Sequence, residues 1–231
     1  MLCLPFLLDK ATQFNQTDHF LYLTFNSLSE SRSRECLHAI KILNQEIRES
    51  RLVEFKSVLR DGHGWEDFKI SDVDEFFRLL QFLDIDSILT FAYEGGHQDH
   101  DLAHVVSKIL QSAITQEVIE FSGYRKHKKF PLFVACIPSF KQSKVSFPRW
   151  KALRLFLKLA AAHKSQLRVW CLLSPPIMVN LLFGSAYSTR TALSASSPNG
   201  DLFLYELRGK AQRGLVENAM LEMIKRCAKD Q

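Results

Sequence analysis

The chain has 231 residues, of which 46% are hydrophobic, and this length suits one globular domain with a sizeable core. The formal net charge of +5 is a mild excess that argues for solubility and against a nucleic-acid-binding protein. The five cysteines are widely separated and never in CxxC spacing, so they favour buried thiols in a reducing compartment over disulfides or a cysteine-ligated metal.

Two apolar stretches lack the features of a targeting or membrane segment. The first eight residues have neither the basic region nor the small-residue cleavage site of a signal peptide. The run at 169–183 is interrupted by Pro175 and Pro176 and is short for a transmembrane helix. We therefore expect a soluble, cytoplasmic protein with no membrane span.

The first half of the chain alternates strand-like with helix-like segments. Residues 20–25 form a continuous apolar run, which is typical of a buried parallel strand. Residues 53–59 alternate as a second strand would. Between them, apolar side chains at helical spacing predict a helix with one buried face, formed by Cys36, Ile40, Leu43 and Ile47.

The same alternation continues through the middle of the chain. Ser71 and Asp74 resemble a capping box, which predicts a helix start there and a further strand at 85–91. The helix before that strand has the apolar face Val73, Phe76, Phe77, Leu80 and Leu83, and the helix after it has Leu102, Val105, Val106, Ile109 and Ala113. This β-α-β-α order predicts an α/β fold with a mostly parallel sheet and helices on both faces.

The second half is less regular. We predict strands at 132–137, 167–173 and 202–207, a helix at 150–162, a loop at 184–200, and a solvated basic turn at 125–129. A final amphipathic helix carries Val216, Met220, Met223 and Cys227. Neither a repeat nor a linker divides the chain, so residues 1–231 are expected to form one domain.

Glycines, histidines and aspartates are concentrated in residues 92–104, directly after the strand predicted at 85–91. Gly95 and Gly96 allow the backbone to turn sharply there. Ligands of open α/β sheets bind at the carboxyl ends of strands, so this turn lies at the edge where a binding site is expected.

Histidines and aspartates follow the turn at close spacing. If the helix starts near Asp99, His100 and His104 share one face and point away from the core stripe. A simpler alternative is a set of surface histidines at a helix start, with Asp99 and Asp101 complementing the helix dipole. Because His97, Asp99 and His100 occur together at this edge, we favour a functional site.

Residues 94–100 resemble the G-H-P-D-H motif of the PIG-L/LmbE-like deacetylases, with Gln98 in place of proline. These are zinc-dependent hydrolases that remove acetyl groups from N-acetylglucosamine-type substrates. The resemblance implies a Rossmann-like α/β fold and a Zn²⁺ cofactor bound by His100. It also implies two catalytic residues: His97, which polarises the acetamide carbonyl or protonates the leaving group, and Asp99, which supports the site.

Further segments between residues 20 and 170 resemble the family in the same order. Residues 21–24 are similar to its second strand, and residues 162–166 to its H-x-S-Q segment. Residues 32–35 fit its R-x-x-E helix start, and residues 59–62 fit its strand-ending aspartate. The substrate-binding residues that this resemblance implies are Arg32, Asp61 and Glu94.

The family's first motif, H-P-D-D, is absent from the chain. That motif supplies two zinc ligands and the general base, and catalytic zinc generally needs three protein ligands. On this resemblance, the single domain expected at 1–231 would lack the family's first strand and its metal motif. Three explanations stay open: the chain begins downstream of the true start, it is a degenerate binding or structural member, or His104, or Asp61 with His63, completes the site.

The expected function is metal-dependent removal of the N-acetyl group from an amino-sugar conjugate. Without H-P-D-D, we expect weak or no activity from this chain, and its zinc binding stays open. The alternative is a non-catalytic sugar-binding or interaction domain of the same fold. Neither alternative involves nucleic acid or a membrane span.

Overall fold

A computed structural model describes residues 7–8, 17–21, 30–47, 49–53, 59–60, 63–67, 69–83, 85, 87–93, 95–113, 117–121, 125–126, 134–135, 148–183 and 189–190, and the single residues 214, 218, 222 and 225. Its helices are α1 (Glu30–Glu46), α2 (Gly64–Asp67), α3 (Ile70–Phe82), α4 (Gln98–Ala113), α5 (Arg149–Ala162) and α6 (Leu167–Phe183), with a 3₁₀ turn at Lys164–Gln166. Its strands are β1 (Asp18–Leu21), β2 (Ser50–Val53), β3 (Ser87–Phe91), β4 (Glu117–Phe121), β5 (Arg125–Lys126), β6 (Val134–Ala135) and β7 (Thr189–Arg190).

These strands pair into small separate sheets. β1 and β2 are parallel, with Asp18 opposite Ser50, and β3 and β4 are parallel, with Ser87 opposite Glu117. β7 pairs with β4 in the antiparallel direction, and β5 and β6 form an antiparallel pair. The described part of the chain is therefore a mixed α/β fold, mostly helical with short parallel strands.

The main hydrophobic core lies where α5 packs on both α1 and α6. Its buried residues include Ala39, Ile40 and Leu43 of α1, Leu155, Phe156 and Leu159 of α5, and Leu173, Ile177 and Leu181 of α6. Within each helix these residues recur at three- or four-residue spacing, so each helix buries one stripe. The helical face predicted through Cys36 and Leu43 and the helix predicted at 150–162 are confirmed.

β3, α4 and β4 form a β-α-β unit with parallel strands, and α4 packs on both strands. The predicted inward stripe of α4 is confirmed, since Leu102, Val105, Val106 and Ile109 are all buried. β3 begins two residues later than predicted, at Ser87. The unit places the turn between β3 and α4 at the carboxyl edge of the parallel pair, where α/β folds bind ligands.

The strand predicted at 167–173 is wrong, because these residues begin α6. An apolar run of this length does not distinguish a buried strand from a buried helix, and the helix buries Leu173, Ile177 and Leu181 at four-residue spacing. The prolines at 175 and 176 lie inside the helix. Within the described residues, α6 included, no helix has the length and apolar character needed to cross a bilayer.

Three other predicted features differ from the structure. α3 begins at Ile70, and the Asp72 carboxylate accepts the Lys69 backbone N–H at 2.7 Å, so the capping box at Ser71 and Asp74 is wrong. Part of the loop predicted at 184–200 is strand β7. The basic turn predicted at 125–129 contributes β5, which pairs with β6.

Several predicted elements are described only in part. β1 and β2 start before the strands predicted at 20–25 and 53–59, of which residues 22–25 and 54–58 lie outside the described part. The strand at 202–207 and the apolar positions of the final helix also lie outside it. In that helix, residues 214, 218, 222 and 225 are helical and exposed, as one polar stripe would be.

Candidate active site at the turn between β3 and α4

The turn after β3 depends on a glycine with a left-handed backbone conformation. Gly95 has a φ of 68°, which side-chain-bearing residues rarely adopt. Its N–H donates to Asp101 Oδ1 at 3.3 Å, so the first turn of α4 holds the preceding loop. Asp99 and Asp101 both lie in that first turn, where their charge favours the positive end of the helix dipole.

His97 lies immediately before α4. Its hydrogen bonds fix its backbone there and indicate which ring nitrogen carries the proton. Its carbonyl oxygen accepts the backbone N–H groups of His100 and Asp101 at 3.0 and 3.2 Å. The backbone N–H of Asp99 donates to His97 Nδ1 at 3.2 Å, so a neutral ring carries its proton on Nε2. The ring is 31% exposed and can reach a bound molecule.

His100 lies against the end of β3. Its ring stacks face to face on Phe91, with centroids 3.8 Å apart, and lies 5.3 Å from the ring of His97. Desolvation, followed by repulsion from His97, lowers the pKa of His100 well below its usual value. The imidazole is therefore neutral at pH 7, as a metal-ligating histidine must be.

His104, predicted to point away from the apolar stripe of α4, is buried, so it is not one of the surface histidines that the simpler alternative would require. Its Nδ1 lies 3.2 Å from the carbonyl oxygen of Phe91 and 3.5 Å from Glu120 Oε1. α4 packs on β3, β4, α2 and α3, so the side opposite its apolar stripe also meets protein. His104 thus contacts the end of the strand beneath His100, and its ring also lies 5.7 Å from the ring of Tyr93 in the turn.

The arginine expected to bind substrate lies in a different cluster. Glu35 accepts the backbone N–H of Ser165 at 2.8 Å and its hydroxyl at 2.6 Å. Desolvation raises the pKa of Glu35, but these hydrogen bonds, together with the charges of His163 and Arg32, outweigh it and lower the pKa overall. The structure therefore joins the R-x-x-E and H-x-S-Q segments, 130 residues apart.

Two of the predicted substrate residues, Asp61 and Glu94, lie outside the described residues. The neighbouring His63 is exposed and contacts Glu66 at 3.1 Å. It directly precedes α2, which packs on α4, so this segment approaches the histidine helix. In the described part of the chain, no three His, Cys, Asp or Glu side chains are grouped so that they could hold a metal ion.

The sequence analysis did not identify Phe91 or Glu120 as part of this region. Glu120 is completely buried in β4, beside His104. A charged residue inside the apolar run 118–121 was the available signal, because carboxylates are buried only with partners. For Phe91 the sequence offers no such signal, since an aromatic residue ending a buried strand is ordinary core.

Comparison with known proteins gives no match: no family model, curated protein or solved structure is similar to this chain. The functional interpretation depends on the geometry described above and on the motif resemblance.

Proposed function

We propose that this chain is a Rossmann-like α/β domain of the PIG-L/LmbE type, a metal-dependent hydrolase acting on the N-acetyl group of an N-acetylglucosamine-type amino sugar. The observation that carries the proposal is the geometry of His97. Its Nδ1 accepts the Asp99 N–H, which leaves a Nε2–H donor at the carboxyl edge of two parallel strands. The motif resemblance supplies the reaction class and the substrate.

In this proposal, His97 donates its Nε2–H to the acetamide oxygen of the substrate. Negative charge develops on that oxygen when water attacks the acetamide carbon, and a donor fixed beforehand stabilises it. Asp99 acts through its backbone N–H, which determines the ring nitrogen that holds the proton. Asp61 and Glu94 remain the proposed contacts to the sugar, and Arg32, which lies near Glu35 and His163, would contact it only where the conjugate extends to that cluster.

The described residues do not by themselves fit a complete zinc site. His100 offers a neutral imidazole, but catalytic zinc generally has three protein ligands, and the described part of the chain contains no such group. Zinc at His100 would therefore need ligands from outside the described residues. Among the described residues, His97 would donate a hydrogen bond to the acetamide oxygen, and His100 would supply one zinc ligand.

Purified full-length chain supplied with Zn²⁺ tests this proposal through metal content and release of primary amine from N-acetylglucosamine conjugates. The variants are His97→Ala and His100→Ala, and the matched control is His38→Ala, an exposed helical histidine of α1. We expect His97→Ala to lower kcat by about 10²- to 10³-fold without loss of zinc, since it removes an oxyanion donor. His100→Ala should lose both zinc and activity.

Two results would overturn the enzyme proposal. One is a zinc-free chain that takes up no Zn²⁺ and releases no amine, and the other is activity that His97→Ala leaves unchanged. The first result would favour the alternative, a non-catalytic sugar-binding or interaction domain. Binding of the same conjugates, measured by calorimetry, would then separate sugar binding from a purely structural role.

A further inference from the structure

Positive charge is segregated along this chain in a way that the net charge conceals. Residues 121–200 contain thirteen Lys and Arg residues and no Asp or Glu, so all 25 acidic residues lie outside this stretch. Such a one-sided distribution favours an anionic partner, because like charges placed together repel one another unless opposite charge covers them. α5 and α6 lie in this stretch.

The same two helices carry most of the large apolar side chains that are exposed among the described residues. These are Trp150 and Leu157 of α5 and Leu167, Val169, Leu172 and Val179 of α6, whereas Leu37 and Phe82 lie elsewhere. Trp150 is 76% exposed and Leu172 is 73% exposed. Six of the eight exposed large apolar side chains thus belong to two consecutive helices that pack on each other.

On each helix, one pair of these side chains lies on the face opposite the buried stripe. On α5, Trp150 and Leu157 are seven residues apart and therefore lie on one line, away from the buried Leu155 and Phe156. On α6, Leu172 and Val179 have the same spacing. Leu167 and Val169 flank the buried stripe of α6 on either side, at the start of the helix. We call the exposed faces of α5 and α6 the hairpin surface.

Cations accompany this apolar surface. Glu46 of α1 binds Arg154 at 2.7 Å and Lys158 at 2.5 Å, so these two cations hold α5 to the core. The other cations of the helices and their connecting turn are Arg149, Lys151, Lys164 and Arg168, which lie at the helix ends. Long basic side chains can place their charge at an interface while their methylene groups cover apolar surface.

We propose that the hairpin surface docks on an anionic phospholipid bilayer, with Trp150 and the aliphatic side chains in the headgroup region and the basic side chains against lipid phosphates. This inference is independent of the proposed hydrolase activity. Tryptophan, aliphatic residues and cations on one helix face are typical of helices that lie in the membrane interface. Nucleic acid would pair the cations and stack on Trp150, but it offers nothing to Leu172 and Val179.

Co-sedimentation of the full chain with vesicles tests the proposal. Vesicles of phosphatidylcholine with about 30% phosphatidylserine are compared with pure phosphatidylcholine, at low and at high salt. The apolar variant is the double substitution Leu172→Asn and Val179→Asn, and the charge variant is Arg149→Gln and Lys151→Gln. The matched control is Leu37→Asn and Phe82→Asn, which removes exposed apolar side chains from other helices.

We expect the chain to bind the anionic vesicles. Each hairpin variant should weaken this binding by about tenfold or more, and the control pair should leave it unchanged. High salt should weaken it further, because the cations act through screened charge. Circular dichroism verifies that the exposed substitutions leave the fold intact. Absence of binding, equal binding of the apolar variant, or tighter binding to a single-stranded oligonucleotide than to the vesicles would overturn the proposal.

Discussion

His104 and Glu120 form a buried polar pair beneath the candidate site. His104 is 3% exposed and Glu120 is fully buried, with 3.5 Å between Nδ1 and Oε1. The same Nδ1 lies 3.2 Å from the carbonyl oxygen of Phe91, whose ring stacks on His100. At the scale of single residues, the position of the candidate zinc ligand therefore depends on a histidine that cannot itself reach a substrate.

Replacement of His104 tests this dependence through stability. His104→Ala removes one polar contact of a buried carboxylate and the contact to the Phe91 carbonyl oxygen, and loss of such buried polar contacts costs about 1–3 kcal/mol of unfolding free energy. Urea denaturation measures the loss. The control His38→Ala, at an exposed position of α1, should change the free energy of unfolding by no more than about 0.5 kcal/mol. A double-mutant cycle with Glu120→Ala should give a coupling of about 1 kcal/mol or more. Additive losses would show that the two side chains do not interact.

At the scale of elements, the spacing of apolar residues predicted the helices that bury one apolar face. It did not predict burial on the opposite face of a helix that other elements also cover. The stripe of α4 through Leu102 and Ile109 was predictable, because it recurs at helical spacing. The burial of His104 was not predictable, because it depends on strands and helices that meet α4 from the other side. The first part of α6 was misassigned for a different reason: apolar residues lie on its exposed face as well as on its buried face, so no helical stripe stands out in the sequence.

Adjacent residues of α5 provide a sharp test of how this helix is oriented. Phe156 is fully buried between α1 and α6, whereas Leu157 is half exposed. Phe156→Ala should lower the free energy of unfolding by about 3–5 kcal/mol, because it leaves a cavity in the core. Leu157→Ala should change it by no more than about 0.5 kcal/mol. Similar losses in the two variants, measured by urea denaturation, would contradict the orientation of α5.

At the scale of the whole molecule, contacts between distant segments connect the amino-terminal elements to α5 and α6. Glu35 of α1 binds Ser165, and Glu46 of the same helix binds Arg154 and Lys158. Both carboxylates lie outside residues 121–200, the stretch that contains no Asp or Glu, and their partners lie inside it. Part of the positive charge in residues 121–200 is therefore already paired within the fold, with Glu46 of α1, and only the remaining cations are available to a partner at the hairpin surface.

His163, which lies near the contact between Glu35 and Ser165, makes the free energy of unfolding depend on pH. Desolvation lowers the pKa of His163, and the charge of Arg32 adds to this shift. The hydrogen bond from Nδ1–H to Leu159 O, at 2.8 Å, and the charge of Glu35 oppose the shift without cancelling it. Its folded-state pKa therefore lies below the unfolded value of 6.5. Between these two values the unfolded chain binds the proton and the folded chain does not, so stability is full above about pH 6.5 and falls as the pH decreases.

His163→Asn tests this linkage, because the asparagine amide keeps a donor near the position of Nδ1 and does not titrate. In urea denaturation between about pH 7.5 and 5.5, one such histidine contributes a slope of at most about 1.4 kcal/mol per pH unit. We expect the variant to lose its part of that slope and His38→Asn to keep it. His100, whose pKa is also lowered by desolvation, maintains a residual slope of the same sign. An unchanged slope in His163→Asn would mean that this ring takes up its proton equally in the folded and unfolded chains.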